Sequence, residues 1–169
     1  ELICGDGEIL KHALIANKKF YNYLDKNFFK IIRLKTPFIE NAIYGSCKIK
    51  RHVVQKDENE KNLRKVLNFG HTFGHAFEAS LGFSKRLNHG EAVILGMNVA
   101  LKFSKKNKIL NEDEYLKINN HYNLAQLSNN IKKYFSLKDL NKIVSFMSKD
   151  KKNNSNKINL VLLKKILLP

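Results

Sequence analysis

The stretch Leu67-Asn68-Phe69-Gly70-His71-Thr72-Phe73-Gly74-His75, followed by His89-Gly90-Glu91, is the most informative part of this chain. Half of the six histidines fall in this interval. His71 and His75 are four residues apart, so on a helix they share one face about a turn from each other. His89 then opens a second helical pattern, after a loop that contains Gly82 and Asn88. Two antiparallel helices joined in this way bring the end of one back to the start of the next. Imidazoles at such positions can form a divalent-metal site, completed by a carboxylate from elsewhere. Glu8 is the candidate carboxylate, because it lies in the first turn of an otherwise apolar helix. HxxxH pairs also occur on ordinary helix surfaces, so the spacing alone leaves a plain solvated face open. Gly70 and Gly74 argue for more. A glycine inside a helix costs about 1 kcal/mol relative to alanine, which points to close approach by a ligand or another backbone.

Cations surround this motif. Lys11 is three residues from Glu8, and Arg64 and Asn68 are four apart on the approach to His71, with Lys50 upstream. Gathered near a metal, they suit a small substrate bearing phosphate or carboxylate.

Working outward, Ile9, Leu10, Ala13, Leu14, Phe20 and Leu24 predict a first helix from about Gly7 to Asp25. Phe28–Leu34 reads as a second helix or a turn leading into one. Thr36-Pro37 reads as an N-cap and a first-turn proline, opening a helix that fades near Val54. Gln55–Asn62 is a charged loop. Helices are expected over Asn68–Leu81, closed by Gly82, and over Glu91–Lys105. Asn111–Glu114 and Ser136–Asp139 have the form of capping boxes. Asn153–Asn156 reads as a turn, and Ile158–Leu163 as the one convincing strand. The expected fold is mainly α with a short β element near the C-terminus.

The 169 residues fit one domain of ordinary size, and 43% hydrophobic with 10% aromatic residues is too apolar for a disordered tail. No apolar run approaches the ~18 residues of a membrane span. Glu1–Gly7 lacks the pattern of a secretory signal. Cys4 and Cys47 form no CxxC, so a reducing cytoplasm is expected. The net charge of +16 favours anionic partners. Its basic residues are dispersed from Lys11 to Lys165, without a pure Lys/Arg block or a nucleic-acid-binding motif. Most of that charge is therefore read as solvated surface, and no nucleic-acid partner is expected. No GxGxxG follows a strand, so a dinucleotide site is not expected in these residues.

Taken in order, Gly7-Glu8-Ile9-Leu10-Lys11-His12, Asp57-Glu58-Asn59-Glu60, Leu63-Arg64, the Leu67–His75 motif and His89-Gly90-Glu91-Ala92-Val93 with Gly96-Met97 resemble 3-dehydroquinate synthase. Asp150-Lys151-Lys152 before an apolar run is similar to that family's closing segment. The resemblance covers residues 1–169 and only the family's C-terminal domain. It implies the helical C-terminal domain of the dehydroquinate synthase-like fold, with the N-terminal NAD-binding domain absent from this chain. It also implies conversion of 3-deoxy-D-arabino-heptulosonate 7-phosphate to 3-dehydroquinate and phosphate, a lyase step of the shikimate pathway. Family members use NAD and a divalent cation, zinc or cobalt. NAD transiently oxidises a ring hydroxyl, phosphate leaves, and the ring opens and recloses as a carbocycle.

Carried over by motif, Glu8, His71 and His89 match metal ligands. Lys11, Lys50, Arg64, Asn68 and His75 match substrate-contacting positions, as does Lys151 or Lys152, and Glu60 matches an acidic position of the site. The implied partners are a small anionic sugar phosphate, the protein's own N-terminal domain and, in an assembled enzyme, a second copy as a homodimer. The chain alone is expected to be inactive. Asn62 stands where the family usually has Gly before Leu-Arg, and Leu167 replaces a Gly. The rival readings are a related sugar-phosphate cyclase, a metal-dependent polyol dehydrogenase of the same broader fold, and, from another class, a basic helical nucleic-acid-binding module.

Overall fold

Asn17 interrupts what its apolar spacing predicts to be one long helix. Its backbone is extended (φ −154°, ψ 100°) and its side chain accepts the Phe20 N–H at 2.9 Å. Such a cap is worth about 1 kcal/mol. The expected helix Gly7–Asp25 is therefore two, α1 (Leu2–Ala16) and α2 (Lys18–Ile32), in the computed structural model, which describes residues 2–124, 130–149 and 158–166. Tyr21, Leu24, Phe28 and Ile31 form the buried stripe of α2, so Phe28–Ile32 is its last turns rather than a separate element.

Helix α3 (Phe38–Lys56) begins one residue later than a Thr36 cap would place it, with Pro37 in the cap position and its carbonyl accepting the Asn41 N–H. The charged loop that follows is organised by Asp57, whose carboxylate accepts the backbone N–H groups of Arg64, Asn62 and Lys61. These three donors, Arg64 foremost, hold the Asp57 carboxyl below the usual carboxylate range. Asn62 has φ −138°, outside the left-handed region that favours glycine.

The expected helix Asn68–Leu81 is also divided. Leu63–Asn68 is a 3₁₀ segment, Gly70 takes φ +82°, and α4 runs from His71 to Ser80. Gly82, at φ +64°, follows its end. Helix α5 (His89–Lys106) starts two residues before the expected Glu91, because Asn88 and Glu91 form a full capping box. Residues 92–98 of α5 are all buried, making it the central helix. Its N-terminal half lies directly against α4. A Cβ on Gly70 would meet Met97 N at 2.8 Å and Val93 O at 2.9 Å, and one on Gly74 would meet Ala92 O at 3.1 Å. The α4 glycines are therefore explained by a neighbouring backbone.

Helix α6 (Glu112–Leu124) and helix α7 (Leu140–Ser148) complete the described helices. Asn111 caps α6 by accepting the Glu114 N–H at 2.8 Å, while Glu114 itself accepts the Ile166 N–H, so only half of the expected box forms there. Ser136 and Asp139 form a complete box. One core cluster joins α1, α2, α5 and α6, and another joins α4, α5 and α7.

The expected strand Ile158–Leu163 is not one; no strand is present among the described residues. The segment is a strap without regular structure, and two of its backbone groups bond to side chains. Leu163 N–H donates to Ser104 Oγ, and Asn159 O accepts from Thr72 Oγ. Leu163 and Ile166 are buried. The turn expected at Asn153–Asn156 lies outside the described residues. Among those residues, no helix is long and apolar enough to cross a membrane.

Candidate metal and anion site

Helix α1 presents Glu8, Lys11 and His12 on one face, as i, i+3 and i+4. They meet Lys50 of α3, then Glu60, Arg64 and Asn68 from the loop and 3₁₀ segment, and His71 at the start of α4. Together these line an open cleft of about 210 Å³. Lys11 is 2% exposed, and its Nζ donates to Glu8 Oε1 at 2.6 Å. His71 Nε2 stands 3.9 Å from the same carboxylate oxygen, and His12 Nε2 is 4.0 Å from Glu8 Oε2. Asn68 Nδ2 donates to Glu60 Oε1 at 2.5 Å, and Arg64 donates to the Glu58 carbonyl at 2.7 Å.

The electrostatics follow from burial beside a cation. Burial pushes the Glu8 carboxyl up, but the Lys11 ammonium and its hydrogen bond, with His71 and His12, bring it below the usual range. Burial and Lys11 push His71 down to about 4, and His12 is likewise pushed down to about 4. At neutral pH the cleft therefore holds a carboxylate and two neutral imidazoles, the protonation state that metal ligation requires.

Three imidazoles cluster at the α4–α5 junction. Ring centroids lie 5.4 Å apart for His71 and His75, 5.8 Å for His71 and His89, and 5.9 Å for His75 and His89. His71 Nδ1 lies 3.3 Å from the Phe69 carbonyl, which leaves Nε2 on the Glu8 side. His89 Nδ1 lies 3.0 Å from Glu78 Oε2. Ligand-type atoms of His75, Glu78 and His89 all lie within 4.8 Å of one another.

A carboxylate grouped with histidine imidazoles suits zinc or cobalt. Tetrahedral ligands at about 2.1 Å stand about 3.4 Å apart, so the 3.9 Å between Glu8 and His71 closes by a small side-chain movement. The donor set fits such an ion.

Glu8, Lys11, Lys50, Glu60, Arg64, Asn68 and His71 thus come together at one cleft, with His75 and His89 grouped beside His71. Lys151 and Lys152 lie outside the described residues, as does Leu167. Two residues escaped the sequence reading. His12 is 3% exposed with its Nδ1 2.7 Å from Ser46 Oγ, and its Nε2 has no hydrogen-bond partner among the described residues. Its i+4 spacing from Glu8 was the available signal. Glu78 lies three residues after His75 and seven after His71, on the same helical face.

This arrangement of helices around an open cleft lined by cations, histidines and carboxylates is shared with solved synthases. The chain superposes on 2-epi-5-epi-valiolone synthase (ValA) from Streptomyces hygroscopicus subsp. jinggangensis 5008, solved with NAD+ and Zn2+ bound, with a TM-score of 0.84 at 20% identity, covering 98% of this chain and 45% of that one. It also superposes on 2-deoxy-scyllo-inosose synthase complexed with carbaglucose-6-phosphate, NAD+ and Co2+, with a TM-score of 0.81 at 22% identity over 98% of this chain and 45% of that one. At the sequence level, the 3-dehydroquinate synthase C-terminal family matches residues 5–153, and the chain belongs to it. The 3-dehydroquinate synthase of Pelagibacter ubique (strain HTCC1062) is 60% identical over all 169 residues, which span 46% of that protein. That of Alkaliphilus metalliredigens (strain QYMF) is 36% identical over 96% of this chain and 44% of its own length. The chain thus spans less than half the length of these curated relatives.

Proposed function

We propose that the chain is the metal- and substrate-binding half of a 3-dehydroquinate synthase, a lyase that releases phosphate from 3-deoxy-D-arabino-heptulosonate 7-phosphate as it forms 3-dehydroquinate. The observation that carries this reading is the meeting of Glu8 and His71 at 3.9 Å in a cleft lined by Lys11, Lys50, Arg64 and Asn68. The 60% identity to a 3-dehydroquinate synthase supports the choice of substrate among ring-forming synthases. The setting is cytoplasmic aromatic biosynthesis through the shikimate pathway.

Glu8, His71 and His89 would hold a divalent ion, zinc or cobalt, which supplies Lewis acidity toward a substrate oxygen. NAD, bound mainly by an N-terminal domain outside these residues, supplies the hydride acceptor and donor. The remaining work falls to this chain's side chains. Lys11, Lys50 and Arg64 bind the carboxylate and phosphate of the substrate, as does Lys151 or Lys152. Glu60 accepts the Asn68 amide hydrogen bond and so orients that side chain toward the cleft. His75 exchanges a proton with substrate at an imidazole nitrogen. Each fixed cation also favours negative charge developing on the substrate without reorganising at the moment of reaction.

The test is phosphate release from the heptulosonate phosphate with zinc and NAD, using the chain alone and then mixed with a separately expressed N-terminal domain. Activity only on mixing is expected. Release by the chain alone would overturn the half-site reading. A related cyclase acting on another sugar phosphate is the second reading, favoured by the two structural neighbours. It would show as turnover of a different sugar phosphate by the assembled enzyme and none of the heptulosonate.

A further inference from the structure

His89 is the first residue of α5, and its side chain is 58% exposed. The Asn88–Glu91 capping box fixes its backbone, and the close α4–α5 packing fixes the helix beneath it. Neither constrains the ring. An imidazole on two rotatable bonds, with most of its surface in water, would sample several rotamers and both neutral tautomers.

The contact that restrains it comes from Glu78, across the α4–α5 junction. Its side chain is only 13% exposed, and Oε2 lies 3.0 Å from His89 Nδ1. A carboxylate can only accept, so in the neutral ring Nδ1 carries the proton and Nε2 keeps the lone pair that can ligate. His71 follows the same rule through the Phe69 carbonyl at 3.3 Å. The two histidines are thus set in one tautomer by different acceptors, one from the backbone and one from a charged side chain.

We infer that Glu78 is a positioning residue that locks the His89 ring and tautomer for a divalent cation, without itself ligating it. The inference rests on the reading of His89 as a metal ligand. An anionic partner on Nδ1–H also raises the electron density at Nε2, which strengthens its bond to a cation, and losing such a partner typically costs 10–100-fold in metal affinity.

The experiment measures zinc affinity of the full chain by competition with a chromophoric chelator, together with the visible spectrum of the cobalt form. It compares the wild type with Glu78→Ala, Glu78→Gln and His89→Ala. Glu78→Ala is expected to weaken zinc binding by about 10–100-fold. Its cobalt bands should keep their positions, and the metal-free melting temperature should stay near that of the wild type. Glu78→Gln keeps an acceptor oxygen at the same reach and is expected to restore most of the affinity, which also covers a Glu78→Ala variant that folds poorly. Unchanged affinity in Glu78→Ala, with loss of binding in His89→Ala, would overturn the role of Glu78 and leave the ligand reading standing. A Glu78→Gln variant that loses a cobalt ligand as fully as His89→Ala would make Glu78 a ligand and overturn its positioning role. Unchanged affinity in His89→Ala would overturn the ligand reading and this inference together.

Discussion

Gly96 of α5 faces Gly70 at the start of α4 so closely that a Cβ on Gly96 would fall inside the van der Waals envelope of the Gly70 carbonyl oxygen and 2.8 Å from Gly74 N. That contact sets the spacing of the two helices that carry His71 and His89. Alanine at position 96 would gain about 1 kcal/mol in helix propensity. It would also overpack against backbone atoms, which cannot swing aside as a flexible side chain can, at a cost of about 1–3 kcal/mol or more. The steric cost wins. Gly96→Ala is expected to lower the unfolding free energy by about 1–2 kcal/mol. Gly5→Ala, which meets nothing within 4 Å, should be neutral or stabilising in the same denaturant titration. Equal stability of the two variants would refute the backbone-contact argument.

The stability of the metal-free chain should fall as the solution is acidified. His12 and His71 are pushed from 6.5 down to about 4 by burial first and by Lys11 second. Between these values the unfolded chain binds protons that the folded chain refuses, so ν_U exceeds ν_N and stability rises with pH. Their full contribution is present above pH 6.5 and is lost by about pH 4. Glu8, held below the usual range, adds a loss in the same direction at the acid end. Thermal melts from pH 7.5 to 4.5 should show a progressive drop, and a His12→Gln variant should flatten part of it. A melting temperature independent of pH over this range would contradict the assigned environments.

The proposed role of His75 is proton exchange with substrate rather than metal ligation. Its ring lies 5.4 Å from His71 and 5.9 Å from His89, near enough to be mistaken for a ligand. A fourth protein ligand would close the coordination sphere against a substrate oxygen. In the assembled two-domain enzyme, His75→Ala is expected to keep near-stoichiometric zinc while turnover falls by about 10²–10⁴-fold. Metal content measured by atomic absorption alongside phosphate release checks this. Joint loss of zinc and activity would make His75 a ligand.

What the sequence by itself determined is the helical character and most of the side chains that line the cleft. Apolar spacing marked the helices because burial of one face repeats every three to four residues. The histidine motif named His71, His75 and His89, and the Glu8–Lys11 spacing placed a carboxylate and a cation on one helical face. Tertiary structure decided the rest. Asn17 could be read either as a helix residue or as a cap, and only the packing of Tyr21 and Leu24 against the core chose the break. Ile158–Leu163 has strand-like composition, but a strand needs a partner edge. No partner strand lies beside it among the described residues, and its backbone turns to Ser104 and Thr72 instead. The cost of Gly74 inside a helix was visible in the sequence, but its cause, the backbone of α5, was not, and Gly70 is instead the left-handed residue that precedes α4. His12 and Glu78 had only a helical spacing to mark them. Their roles come from distance and burial, 2.7 Å to Ser46 and 3.0 Å to His89, and no one-dimensional pattern encodes which side chain ends beside which.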